Sequence, residues 1–211
     1  WGVLNVTPDS FSDGGRYQTA DAALARATTM LQQGADVIDV GGESSRPAGS
    51  VYGKGADRVP EQEEARRVVP VIREIRQRLR ARVSVDTVKA GVARQAIAAG
   101  ADMVNDISCG TSDALLEAVA EGDVGVVLMH NRGRGEVSGA NIAYSDLVTE
   151  VIEELMRAVE RAVSRGVERS QIWIDPGIGF AKTASQSIEL LAATGKVVQG
   201  GSTITQQLIK N

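Results

Sequence analysis

The chain is poor in the residues that build several common kinds of site. It has one cysteine, Cys109, so no internal disulfide can form and a reducing compartment fits. It has one histidine, His130, which excludes a multi-histidine metal site and a Ser-His-Asp triad centred on any other position. There is no basic excess. Lys and Arg total 23 against 27 Asp and Glu, for a net charge of −4, which argues against nucleic acid as the main partner. No apolar run is long enough to span a bilayer. No charged segment followed by an apolar one opens the chain, so the expectation is a cytoplasmic protein without a signal peptide. At 211 residues, the length suits one domain with a sizeable core.

What is present is an alternation of short apolar runs and amphipathic stretches. The opening segment, Gly2 to Gly15, starts as a buried strand at Val3-Leu4, turns polar at Asn5 and becomes a loop rich in Asp, Ser and Gly around the aromatic Phe11. That loop is longer than a connecting turn needs. Ala20–Gln33 has apolar residues at three- and four-residue spacing and reads as a helix stopped by Gly34. The strand at Val37-Ile38 then leads through Asp39 to a second loop, Gly41 to Pro47. Further helices are expected over the stretch beginning at Pro60, bent at Pro70, and over Lys89–Ala99, Asp113–Ala120, Ser145–Ser164 and Ser185–Ala193. Further strands are expected at Arg82–Thr87, within Gly100–Ile107, at Gly125–Met129 and from Ile172. Gly100-Ala-Asp-Met-Val-Asn echoes Gly34-Ala-Asp-Val-Ile-Asp, as though one βα unit were reused.

Six βα units in strict alternation imply an α/β fold with a parallel sheet covered by helices. Polar residues stand at the C-terminal end of every strand: Asn5, Asp39 with Glu43, Asp86, Asn105 with Asp106, His130, and Asp175. An open doubly wound sheet would gather them at one switch point, whereas polar strand ends all the way round favour a (β/α)8 TIM barrel. With six units present, the barrel is expected to be incomplete: a C-shaped sheet with Val3, Leu4, Ile172 and Ile174 on its inner face.

Leu4-Asn-Val-Thr-Pro-Asp-Ser-Phe-Ser-Asp-Gly-Gly15, Gly41-Gly-Glu-Ser-Ser-Arg-Pro47, Ser84-Val-Asp-Thr87, Val104-Asn-Asp-Ile107 and Asp175-Pro-Gly-Ile-Gly-Phe180 resemble, in the right order, the motifs of the dihydropteroate synthase family. The resemblance covers residues 1–194. It implies an enzyme of folate biosynthesis that condenses 6-hydroxymethyl-7,8-dihydropterin pyrophosphate with p-aminobenzoate and releases pyrophosphate. It further implies sulfonamide competition at the aminobenzoate position, a homodimer, and no membrane or nucleic-acid partner. By match to the motifs, Asp175 accepts from two N–H groups of the pterin edge, Asp86 and Asn105 meet other ring atoms, and Met129 and Phe180 adjoin the ring. Asn5 matches a Mg2+ ligand and Ser45 a phosphate-side group. Asp9, Phe11, Asp13 and Arg46 would close over the reacting carbon as pyrophosphate departs and the amine attacks.

Other residues stay open. Asp39 reads equally as a structural cap or a site group, and Asp106 as a helix N-cap or a site group. His130 reads as a strand-end hydrogen-bonding residue without a role, Cys109 as inert, and Lys182 as a substrate contact or a solvated helix start. The run Glu61–Arg82 reads as a solvated helix face. The family's Ser-Arg-Lys and Arg-x-His-Asp motifs of a seventh and eighth strand are not found. Residues 195–211 instead carry Gly-Gly-Ser-Thr-Ile-Thr-Gln-Gln-Leu, which resembles a glycosyltransferase motif of class A penicillin-binding proteins and suggests a foreign tail. The alternative to an active enzyme is therefore a catalytically silent pterin-binding remnant or a chimeric chain.

Overall fold

A computed structural model describes residues 1–6, 16–43, 59–132 and 142–194. Asp9, Phe11, Asp13, Ser45, Arg46 and the 195–211 tail lie outside the described residues. Among the described residues strands and α-helices alternate: β1 (Gly2–Asn5), α1 (Arg16–Gln32), β2 (Val37–Gly41), α2 (Glu61–Arg78), β3 (Arg82–Asp86), α3 (Ala90–Ala98), β4 (Met103–Asp106), α4 (Asp113–Gly122), β5 (Gly125–Met129), α5 (Leu147–Ser164), β6 (Ile172–Asp175) and α6 (Ala184–Ala193), with one short 3-10 turn, Arg169–Gln171, leading into β6. The six strands form one all-parallel sheet in sequence order. Parallel pairing of consecutive strands requires each helix to cross back over the sheet, and that gives the α/β layering read from the sequence.

Strand phase determines what reaches the site. Leu4, Ile38, Val40, Val83, Val85, Val104, Val126 and Leu128 join the core beneath the helices. The alternate positions face the other way. Thus a Cβ on Gly41 would stand 3.4 Å from Asn5 Oδ1 and 3.5 Å from Asp86 Oδ2, and one on Gly125 would meet the Trp173 ring and Met103. The inner face therefore carries Val3 and Asn5, Asp39 and Gly41, Ser84 and Asp86, Met103 and Asn105, Val127 and Met129, and Trp173 and Asp175. This corrects the expected inner set. Leu4 is buried on the helix side, and Ile172 and Ile174 pack against the same core. Of the four, only Val3 is on the inner face, where it is 48 % exposed. Both faces of a parallel strand are apolar, so the pattern alone leaves the phase undetermined.

Helix ends follow their local chemistry. Ser112, Asp146 and Thr183 cap α4, α5 and α6 by accepting from Leu115, Thr149 and Gln186 backbone N–H groups, and Thr183 and Gln186 complete a capping box. The two echoed glycines play one part: Gly34 (φ +97°) and Gly100 (φ +106°) both end a helix in the left-handed region. Helix α2 runs through Pro70 as one element, with Pro70 and Arg66 on its exposed side, where the carbonyl freed by the missing N–H can meet water. The expected solvated face of α2 has an exception. Glu64 is 1 % exposed and pairs with Lys89, which also holds Glu43 and donates to the Val59 carbonyl at 2.8 Å. Burial opposes the Lys89 charge, but the Glu43 and Glu64 carboxylates outweigh it and raise its pKa.

Candidate active site

The inward residues at the C-terminal strand ends come together as one mouth. Asn5, Gly41 and Asp86 are brought side by side by the β1–β2 and β2–β3 registers, in which Asn5 pairs with Gly41 and Gly41 with Asp86. Asp86 pairs with Asn105, and Met129 with Asp175, so the ring continues through β4, β5 and β6. Met129, Asn105 and Asp175 are buried, Asp86 and Phe180 are partly so, and Asn5 is exposed at the rim. All the described residues assigned by resemblance to pterin or metal thus lie at one end of the sheet. Gly41 was not singled out. A Cβ there would make ordinary contacts with Asn5 Oδ1 at 3.4 Å and Asp86 Oδ2 at 3.5 Å, so the position shows how near to one another these two polar groups stand.

The mouth is acidic and poorly solvated. Asp86 keeps some solvent contact but is ringed by protein. Burial first, then the charges of Asp39, Glu64, Asp106 and Glu43, push its carboxyl well above the usual range. Asp39, 4 % exposed and one inward step below Gly41, accepts from Asn105 Nδ2 at 3.0 Å. Burial raises Asp39 too, and the nearby Ser84 and Asn105 side chains moderate the rise. The Ser84 hydroxyl stands beside Asp39 in register, and among the described residues Ser84 Oγ, Asp39 Oδ1 and Asn105 Oδ1 are buried without a hydrogen-bond partner. Asp106 faces the opposite way and is structural. Its carboxylate accepts from Ser108 N–H at 2.8 Å, Ser108 Oγ–H at 2.6 Å and Gly110 N–H at 2.7 Å, so it caps the turn after β4, while α4 has its own cap. Cys109, in that turn, has its thiol pushed up to about 11 by burial, so almost no thiolate exists at neutral pH.

Asp175 is held by a second, cationic cluster that the sequence did not reveal. Its Oδ1 accepts from Gly177 N–H at 2.9 Å, and its carbonyl accepts from His130 N–H at 2.8 Å. Lys182 is 5 % exposed, neither a solvated helix start nor at the rim. It donates to the carbonyls of Gly177 at 3.1 Å and Phe180 at 2.9 Å and lies 2.9 Å from His130 Nδ1. The other ring nitrogen of His130 is 2.9 Å from Glu154, which also pairs with Arg132, and Arg132 stacks over Tyr144 at 3.9 Å. An ammonium on Nδ1 and a carboxylate on Nε2 fix a neutral ring with its proton on Nε2. Lys182 and Glu154 approach from loops and helices 52 and 24 residues away from His130 in sequence, and no local spacing signals that.

Burial, reinforced by Lys182, lowers His130 from 6.5 to about 4. Between those values the unfolded chain binds a proton that the folded chain does not, so acid favours unfolding across that window. At about 1.4 kcal/mol per pH unit, the loss should reach roughly 3 kcal/mol by pH 4. Because the chain has one histidine, a single NMR ring signal reads this directly. It should stay that of neutral imidazole down to about pH 4, and a midpoint near 6.5 would contradict the cluster.

Comparison with known proteins follows the same outline. The model of the family described as pterin binding enzymes matches residues 1–206. The dihydropteroate synthase of Synechocystis sp. is 46 % identical over 191 residues, covering 90 % of this chain and 64 % of that protein, so the chain spans less than two thirds of that relative's length. Among solved structures, the Clostridium difficile dihydropteroate synthase with pteroic acid superposes with a TM-score of 0.80 at 39 % identity, over 90 % of this chain and 68 % of that one. The Xanthomonas albilineans enzyme with 4-aminobenzoic acid gives 0.80 at 42 % identity, over 92 % and 66 %. The six-stranded sheet is accordingly six consecutive βα units of a TIM barrel.

Proposed function

Because this chain belongs to the pterin-binding enzyme family, we propose that it is the pterin-binding part of a dihydropteroate synthase, joining 6-hydroxymethyl-7,8-dihydropterin pyrophosphate to p-aminobenzoate with release of pyrophosphate. The observation that carries the reading is the convergence of Asp86, Asn105, Met129 and Asp175 on one inner face, in one register. Two acidic groups and an amide beside an apolar thioether suit a flat heterocycle edged with N–H donors. The buried Asp175 carboxylate accepts two of those N–H groups in a dry setting, where such bonds are strongest. Solved relatives holding pteroic acid and 4-aminobenzoic acid support the substrate class.

Asn5 fits a magnesium ion as its single protein ligand. Its amide oxygen is neutral, exposed at the rim and beside Asp86, which leaves the remaining positions to water and phosphate oxygens. When bound, such an ion neutralises charge that grows on the leaving pyrophosphate. Asp9, Phe11, Asp13, Ser45 and Arg46 belong by motif to the loops that would shield this step from water. A cytoplasmic homodimer, sensitive to sulfonamides that occupy the aminobenzoate position, completes the proposal. Among the described residues no helix is long and apolar enough to cross a membrane. The penicillin-binding-protein likeness of residues 195–211 remains a proposal from sequence alone.

Calorimetry with 6-hydroxymethyl-7,8-dihydropterin, run beside a magnesium-dependent pyrophosphate-release assay with p-aminobenzoate, tests the assignment. Binding together with turnover is the expected result. Binding without turnover would reduce the chain to a silent pterin binder, and absence of binding would refute the site.

A further inference from the structure

A lysine ammonium carries three N–H groups and no acceptor. Each of those of Lys182 has a partner: the Gly177 carbonyl at 3.1 Å, the Phe180 carbonyl at 2.9 Å and His130 Nδ1 at 2.9 Å. The two carbonyls belong to the loop that follows Asp175, so that loop is wound around a buried charge. The turn that brings the ammonium back beneath it is made at Ala181, whose φ of +49° is disfavoured for a residue with a Cβ. The Ala181 carbonyl accepts from the Tyr144 hydroxyl at 3.0 Å. Arg132 stacks on Tyr144 and pairs with Glu154, Glu154 meets His130, and His130 meets Lys182, so the contacts close on themselves. A strained backbone residue persists where its surroundings over-determine it, and such places cluster at binding sites. The loop is tied at its other end to Asp175, whose Oδ1 accepts from Gly177 N–H at 2.9 Å. Gly177 is therefore held by the ammonium through its carbonyl and by the Asp175 carboxylate through its N–H.

We propose that Lys182 is a positioning residue for the pterin: by holding the Gly177 and Phe180 carbonyls against His130 it fixes the Asp175 carboxylate and Phe180 where the ring meets them, without itself touching the ring. The inference rests on the pterin-binding reading above and adds a residue that reading does not use. Lys182 is 5 % exposed, so removing its ammonium strands acceptors that have little access to water. The loop must then shift to satisfy them, and Gly177 N–H moves with it. Asp175 thereby loses the donor that sets the direction of its carboxylate, and a misdirected carboxylate makes poorer bonds to the ligand N–H groups.

The test is a double-mutant cycle on the affinity for 6-hydroxymethyl-7,8-dihydropterin, read by calorimetry, or by NMR titration where binding is weak, at a temperature where every variant is folded. Lys182→Met keeps the stem and removes the ammonium. It should weaken binding by about tenfold or more in the parent, but by less than about threefold when Asp175 has already been replaced by Asn, because a residue that acts through another loses its effect once that other is gone. A purely structural lysine would lower the melting temperature and leave the affinity of the folded protein unchanged. Equal losses in the two backgrounds, or no loss in the parent, would overturn the inference while leaving the pterin site intact. Failure of the parent to bind the pterin would remove the reading beneath it, and the inference with it. Should Lys182→Met not fold, the NMR signal of Lys182 Nζ in the parent decides the matter. A shift on saturation with the pterin supports the inference, and an unmoved signal overturns it.

Discussion

Replacing Asp175 with alanine should weaken pterin binding by roughly a hundred- to a thousandfold, the span expected when a buried, hydrogen-bonded charge loses its partner. The carboxylate is 1 % exposed, at the end of β6 and opposite Met129. Alanine would leave two N–H groups of the proposed ligand without their acceptor, and the stranded donors account for most of the expected loss. The change also removes the acceptor for Gly177 N–H, so part of the effect could come from a displaced loop. Asp175→Asn separates the two. It keeps the shape and one acceptor but places an NH2 against a ligand donor, so it should bind nearly as poorly while melting close to the parent. Titration calorimetry beside thermal unfolding reads both. Near-parent affinity in Asp175→Asn would mean the carboxylate is not the group that holds the ring.

The second large effect is expected at Gly177. A Cβ there would sit 2.0 Å from the His130 carbonyl oxygen, and the residue has φ +65°. Backbone cannot yield as a flexible side chain can, so the β5 and β6 ends must separate. That would break the Asp175–Gly177 and Lys182–Gly177 contacts together. Gly177→Ala should therefore cost more than about 3 kcal/mol, beyond the 1–2 kcal/mol of a left-handed alanine. Gly179→Ala supplies the control: φ there is +83° but nothing lies within 4 Å of the added carbon, so only the conformational part applies. Equal urea midpoints for the two variants would show that the contact with His130 does not govern the loop.

These residues also show what can be read from a sequence of this kind. Asp86, Asn105 and Asp175 were legible because each ends an apolar run, and the end of a parallel strand is where a barrel places chemistry. The echoed Gly34 and Gly100 were legible because stopping a helix is local. Strand phase was not, since Leu4 and Val3, or Ile174 and Trp173, are apolar on both sides. Nor was the burial of Lys182, His130 and Glu64, whose partners come from distant elements. Charge in a sequence suggests solvent, and only the fold shows where a carboxylate of α2 or an ammonium after β6 has been enclosed. Asp39 stayed ambiguous between structure and site because its hydrogen-bond donor, the Asn105 amide, comes from a strand 66 residues further along the chain.

Lys89 grips Glu43 through its side chain and Val59 through its carbonyl, and these two residues flank the segment 44–58. In chain-statistical terms, that ammonium fixes where the intervening chain departs and where it returns. With Glu64 of α2 held by the same ammonium, one charge ties the end of β2, the entry to α2 and the start of α3 together, so loss of Lys89 should loosen all three at once rather than any one of them.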